Sequence, residues 1–222
     1  MIQCLNCRGC PSLNDLPNIG AWQNWGNDYI SVVNSLQNIK LLVVGQDPYK
    51  IRATGIAFCK PTWLEYLDDQ YSALTLFCSL GINLKKAFYD VSHFPTPKEF
   101  FIWLAEKHKV VFVNALIKKA NKRKNDISDP NTPIWLNKAD YSILCGKVAQ
   151  SILTKKEDLS HIYVDHPSGL NRTNPHTSSS WFQFWGCRNS LLDSIKNKAI
   201  QFGSSQTYTD ICQIVSNINA SL

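Results

Sequence analysis

No apolar run in the chain approaches the ~18 residues that a membrane-spanning helix needs, so no transbilayer segment is expected. The opening stretch, MIQCLNCRGCPSL, has neither the basic region nor the apolar region of a signal peptide. No linker and no internal repeat interrupts the sequence, so a single domain over 1–222 is expected, with 1–15 as a cysteine-containing tail. Several catalytic signatures are missing as well. There is no G-x-S-x-G elbow, which argues against that class of serine hydrolase. There is no H-E-x-x-H, and no H-x-E paired with P-C-x-x-C, which argues against a zinc hydrolase or zinc deaminase. Without G-x-x-x-x-G-K-[ST], nucleotide-driven phosphate chemistry is not expected either.

What is present is a folded globular protein with 44% hydrophobic residues, and 222 residues suffice for one α/β domain with a full core. The net charge of +6 suits an anionic partner such as nucleic acid without proving one. With no leader sequence in view, the eight cysteines read as reduced thiols of an intracellular protein. Cys4, Cys7 and Cys10 have the C-x-x-C-x-x-C spacing that could begin a zinc or iron–sulfur site. A fourth ligand at a matching short spacing is missing, since the next cysteine is Cys59, so no metal is expected.

The periodicity predicts helices over 20–37, 95–108 and 189–201, a helical pattern over 72–90 broken near Gly81, a short helix before Ala139 and a C-terminal helix. Thr96 is placed as an N-cap with Pro97 behind it. Apolar runs predict strands at Leu41–Val44, 109–116, from 140 to a turn at Gly146, and from 160 to His166. Strands alternating with helices predict a single three-layer α/β/α domain around a central, mainly parallel four-stranded sheet. The ligand crevice of such a sheet lies beyond the carboxyl ends of its strands. There the sequence puts Gly45-Gln46-Asp47, Asn114, Gly146-Lys147 and His166-Pro167-Ser168. A satisfied turn explains any one of these, but four together offer an acid, amides and an imidazole for a planar, hydrogen-bonding group.

In five ordered motifs the chain resembles the family 1 uracil-DNA glycosylases: GQDPYK (45–50), TGIAFCKP (54–61), VVFVNAL (110–116), LCGKVAQ (144–150) and HPSGL (166–170), with FWGCRNSLLDSI (184–195) as a sixth echo. The resemblance implies an enzyme that flips uracil out of DNA and hydrolyses its N-glycosidic bond. By this likeness Phe58 is the stacking ring under uracil, and Asn114 the amide that reads the uracil edge. Tyr49 packs against C5 and excludes the thymine methyl, while the backbone at Gln46 helps stabilise charge on the base. His166 donates to uracil O2 as negative charge develops, and Asp47 orients the water and stabilises the sugar cation. Leu170 is the wedge that fills the emptied stack. Ser72, Gly146, Lys147, Ser168 and Gly169 hold the phosphates, and the run Lys118, Lys119, Lys122, Arg123, Lys124 adds attraction. The implied partner is uracil-containing single- or double-stranded DNA, with a DNA-mimicking inhibitor protein as a further one. A monomer without metal or organic cofactor is expected.

The chain departs from the family pattern at several places. Lys50 stands where histidine is usual, Gly169 replaces a proline, Asn171 a serine, and Lys147 a small hydroxyl residue. DDQYS, with Asp68 and Asp69, replaces the proline-rich clamp before Ser72. A glycine softens the loop before the wedge, and two carboxylates repel a phosphate. These departures keep a second reading open: a catalytically weak or inactive DNA-binding, replication-accessory protein of the same fold.

Overall fold

The computed structural model describes residues 23–46, 54–63, 65, 73, 76, 77, 80–118, 127–151, 160–164, 166, 167 and 205–222. In chain order these form α1 (Gln23–Ser35), β1 (Ile39–Gly45), α2 (Leu84–Tyr89), α3 (Pro97–His108), β2 (Val110–Asn114), β3 (Leu116–Lys118), β4 (Ile127–Ser128), α4 (Thr132–Lys138), β5 (Ala139–Cys145), α5 (Gly146–Gln150), β6 (His161–Val164) and α6 (Gln206–Ser221). The expected helix over 189–201 and the cysteines of 1–15 lie outside the described residues.

Four strands build the central sheet in the order β2-β1-β5-β6. Every pairing in it is parallel. The chain therefore passes from β1 outward to β2, crosses back over β1 to β5, and continues to β6. Crossovers of the usual right hand, running in opposite directions, would put α2 and α3 on one face and α4 and α5 on the other. That is the three-layer α/β fold expected from the alternating pattern. It also makes the gap between β1 and β5 the switch point, where such sheets open a crevice at their carboxyl ends.

Burial on both faces explains the strand sequences. Leu41, Leu42, Val43 and Val44 of β1 are fully buried, as are Val110, Val111 and Phe112 of β2 and Ile143 and Leu144 of β5. Side chains that point alternately up and down must all be apolar when helices cover both sides. Around β2 the core is aromatic. Phe112 meets Phe77 at 5.1 Å and Phe101 at 5.2 Å between ring centroids. As an edge strand, β2 also has a backbone donor with no strand partner: the Phe112 N–H donates to the buried Tyr29 hydroxyl of α1 at 2.8 Å. Burial holds the Tyr29 phenol well above its ordinary pKa, so it stays protonated.

The caps of α3 show sequence and backbone in agreement at one end and in conflict at the other. Thr96 caps the N-terminus, and Glu99 returns a bond to the Thr96 N–H at 3.0 Å. The helix stops at Lys109, which takes the left-handed conformation (φ 58°) that glycine usually supplies. Its N–H still satisfies the Ala105 carbonyl.

Two boundaries differ from the sequence expectation. The run 109–116, expected as one strand, is cut at Ala115: β2 ends at Asn114, and Leu116 begins a short antiparallel ladder with β4. The last strand, expected to reach His166, ends at Val164. At β2 the chain leaves the sheet at the candidate residue Asn114, and at β6 it leaves two residues before the candidate His166. α6 then closes the fold. Ile211 and Ile218 are fully buried, Tyr141 hydrogen-bonds Asp210, and Asn219 donates to the Gly81 carbonyl at 2.8 Å and accepts from the Asn83 N–H at 2.8 Å.

His108 ends α3 with its ring edge-on to Trp103, 4.6 Å between centroids, and its Nε2 is buried without a hydrogen-bond partner. Burial, followed by the charges of Lys107 and Lys40, lowers its pKa below the usual 6.5. The unfolded chain therefore binds a proton that the folded one resists, and this contribution to stability is lost as pH falls below about 6.5. Urea unfolding between pH 7 and 5 should show a shallower loss for His108→Phe than for the wild type. An identical slope would clear His108 as its source.

Candidate functional site

The register aligns the tips. Gly45, last in β1, pairs with Asn114, last in β2. Val44 pairs with Leu144 and Cys145 with Val164, so β5 and β6 end at the same level. At a strand spacing of roughly 4.8 Å, the row from Asn114 to the end of β6 spans about 14 Å.

On the β2 side, three backbone-directed bonds hold Asn114. The Ala115 N–H donates to the Gly45 carbonyl at 2.9 Å, and the Leu116 N–H to the Gln46 carbonyl at 3.0 Å. The buried Thr132 hydroxyl, at the start of α4, donates to the Asn114 carbonyl at 3.1 Å. The Asn114 side chain itself is half-buried, as is Gln46.

Phe58 approaches the same tip from the loop after β1. The Thr54 hydroxyl winds this loop, accepting from the Ile56 N–H at 3.2 Å and lying 3.3 Å from the Cys59 carbonyl. Phe58 sits at φ 61°, a left-handed conformation costly for a large side chain. Its ring packs edge-on against Phe112 at 6.4 Å between centroids, and the residue is 6% exposed. Strain of this kind persists only where packing over-determines it, and it gathers at working sites. The Phe58 ring and the Asn114 amide meet over Gly45. A methyl placed on Gly45 would stand 2.9 Å from Asn114 Oδ1 and 2.9 Å from the Cε2 and Cζ of Phe58.

On the other side of the switch point, Gly146 follows β5 at φ 84°, and a methyl there would lie 3.0 Å from the Cβ of His166. A side chain would thus be strained by the backbone and crowded by the imidazole. His166 is half-buried between this turn and the buried Pro167. The Gln150 amide donates to the Val164 carbonyl at 3.2 Å and ties α5 to the end of β6. Just before the turn, burial pushes the Cys145 thiol up to about 12. It stays a thiol at neutral pH and is no nucleophile.

The strand tips thus gather Gln46, Phe58, Asn114, Gly146, Lys147 and His166, six of the residues singled out from the sequence. Asp47, Tyr49, Ser72, Ser168, Gly169 and Leu170 lie outside the described residues, as do Lys119, Lys122, Arg123 and Lys124 of the basic run. Among the described residues no group of three or more His, Cys, Asp or Glu side chains could hold a metal ion. No helix among them is long and apolar enough to cross a membrane. Thr132 and Thr54 are the residues that sequence reasoning missed. Each acts through a hydrogen bond to backbone; Thr54 opens the motif over 54–61 but is given no role there, and no motif marks Thr132.

Chemically, a flat ring beside an amide binds a planar group that both stacks and hydrogen-bonds. An imidazole across the crevice can donate to charge that develops on such a group. No family model matches the chain, and neither a curated protein nor a solved structure was found to be similar to it.

Removing the hydroxyl from Thr132 isolates its hold on Asn114. Thr132→Val, nearly the same shape, should cost about 1 kcal/mol in urea unfolding, and Thr132→Ser distinctly less. Equal losses for the two variants would mean that the bond to the Asn114 carbonyl contributes nothing.

Proposed function

We propose that the protein is a uracil-DNA glycosylase. It flips uracil out of DNA and hydrolyses the bond between C1′ and N1. The products are free uracil and an abasic site for base-excision repair. The observation that carries this reading is the convergence of the Phe58 ring and the Asn114 amide over Gly45 at the sheet's switch point. A base removed from the stack needs a π-face and an edge reader in one narrow pocket. The five motifs in sequence order support the same reading.

In this mechanism Phe58 stacks under the flipped base. The Asn114 carbonyl accepts from uracil N3–H, and its NH₂ donates to O4. Cytosine presents the opposite donor and acceptor, leaving buried groups unpaired at roughly 1–3 kcal/mol each. As the glycosidic bond lengthens, positive charge grows on the sugar and negative charge on the base. His166 donates to O2 to stabilise the base, and the backbone at Gln46 helps. Asp47 stabilises the sugar cation and orients the water that attacks it. Tyr49 blocks the methyl of thymine. Leu170 fills the vacated stack, while Ser72, Gly146, Lys147, Ser168 and Gly169 hold phosphates. The enzyme works inside the cell as a monomer without metal or cofactor.

The test is release of free base from single-stranded oligonucleotides containing one uracil, with thymine and cytosine controls. Wild type should release uracil alone. His166→Ala should slow release by about 10²-fold or more, the scale of losing one donor to developing charge. Tyr49→Ala should begin to release thymine. No release from well-folded wild-type protein would overturn the proposal and favour the DNA-binding accessory reading.

A further inference from the structure

Gly45 has no conformational reason to be glycine. It closes β1 in register with Asn114, and its φ lies outside the left-handed region that Gly55, Gly81 and Gly146 occupy. Any residue could adopt that backbone, and glycine weakens a strand by having nothing to pack. What Gly45 supplies is space. The 2.9 Å that would separate its methyl from Asn114 Oδ1, and from two ring carbons of Phe58, is closer than non-bonded carbons tolerate.

Of the two neighbours, Phe58 has the less room to retreat. Phe58 is 6% exposed, already at φ 61°, and backed by Phe112. The Asn114 main chain is held by Thr132 on one side and by the Gly45 carbonyl, through Ala115, on the other. A methyl at position 45 must therefore turn or displace the ring, the amide or both. Gly146 is a different case, because its positive φ demands glycine whatever its neighbours.

We propose that Gly45 is a positioning residue for base recognition: by carrying no side chain it lets the Phe58 ring and the Asn114 amide close on one planar pyrimidine. The inference rests on the glycosylase reading and names the residue that sets the geometry of its base pocket. Gly45 touches no substrate in this role; it acts through the two side chains that do.

The test compares wild type, Gly45→Ala, Phe58→Leu and the double variant. Two ligands are used: free uracil as an inhibitor, and a uracil-free oligonucleotide of the same length. Gly45→Ala should lower kcat/KM for uracil release and weaken inhibition by free uracil, each by about tenfold or more, while oligonucleotide binding is unchanged. A general loss of structure would weaken both ligands together and overturn the role. In the Phe58→Leu background, where the smaller side chain makes room, the same methyl should cost at least about threefold less. Equal losses in both backgrounds, or a Gly45→Ala enzyme as active as wild type, would also overturn it. Should Gly45→Ala fail to fold, recovery of folding in the double variant is the coupling expected, and no recovery counts against it. If the wild type releases no uracil, the glycosylase reading fails first. Denaturant midpoints of the four proteins then decide the steric role, with additive shifts rejecting it.

Discussion

β1 lies between β2 and β5 and pairs in parallel with both, so its register sets the level of every other strand tip. Apart from Lys40 the strand is buried along its whole length, which pins it to the core. A parallel strand of this kind has no hairpin to hold its neighbours, because each partner arrives after a long excursion. Alignment of Asn114, Gly45 and Cys145 therefore depends on side-chain packing across two helical layers. The aromatic cluster around Phe112 and the Tyr29 bond to the β2 edge are parts of that packing.

The tips themselves are locally unfavourable. Phe58 holds a bulky ring on a left-handed backbone, Gly45 leaves a strand end bare, and Gly146 turns where a side chain would collide with His166. The core beneath over-determines these conformations, and each serves to bring side chains close that would otherwise stand apart. Where the core has no such task, as in α3 between its Thr96 cap and the buried Phe100 and Phe101, local preference and final structure agree.

The legibility of the chain follows the same division. Long apolar runs marked the sheet strands, and the capping pattern at Thr96 marked α3, because these signals are local and repeated. Placing Gln46, Asn114, Gly146 and Lys147 at or next to strand ends was also legible, since a parallel sheet brings its carboxyl ends to one side, while His166 lies two residues beyond its strand. Other features left no local trace. The β3–β4 ladder pairs three residues with two, too few for any period to register. Lys109 ends a helix where glycine would be looked for. The Thr132 bond spans 18 residues, and the crowding at Gly45 involves side chains from two distant segments, so neither can be seen before the chain is folded.

The pairing of Gly45 with Asn114 also gives the fold a check on its own assembly. A one-residue slip of β1 would bring Val44 to the tip and turn every side chain of the strand to the opposite face. An isopropyl group would then stand where the ring and the amide must meet. Such a mispaired sheet could remain greasy enough to collapse, but it could not form the pocket. Correct threading of the central strand and the close approach of Phe58 to Asn114 thus depend on the same residue.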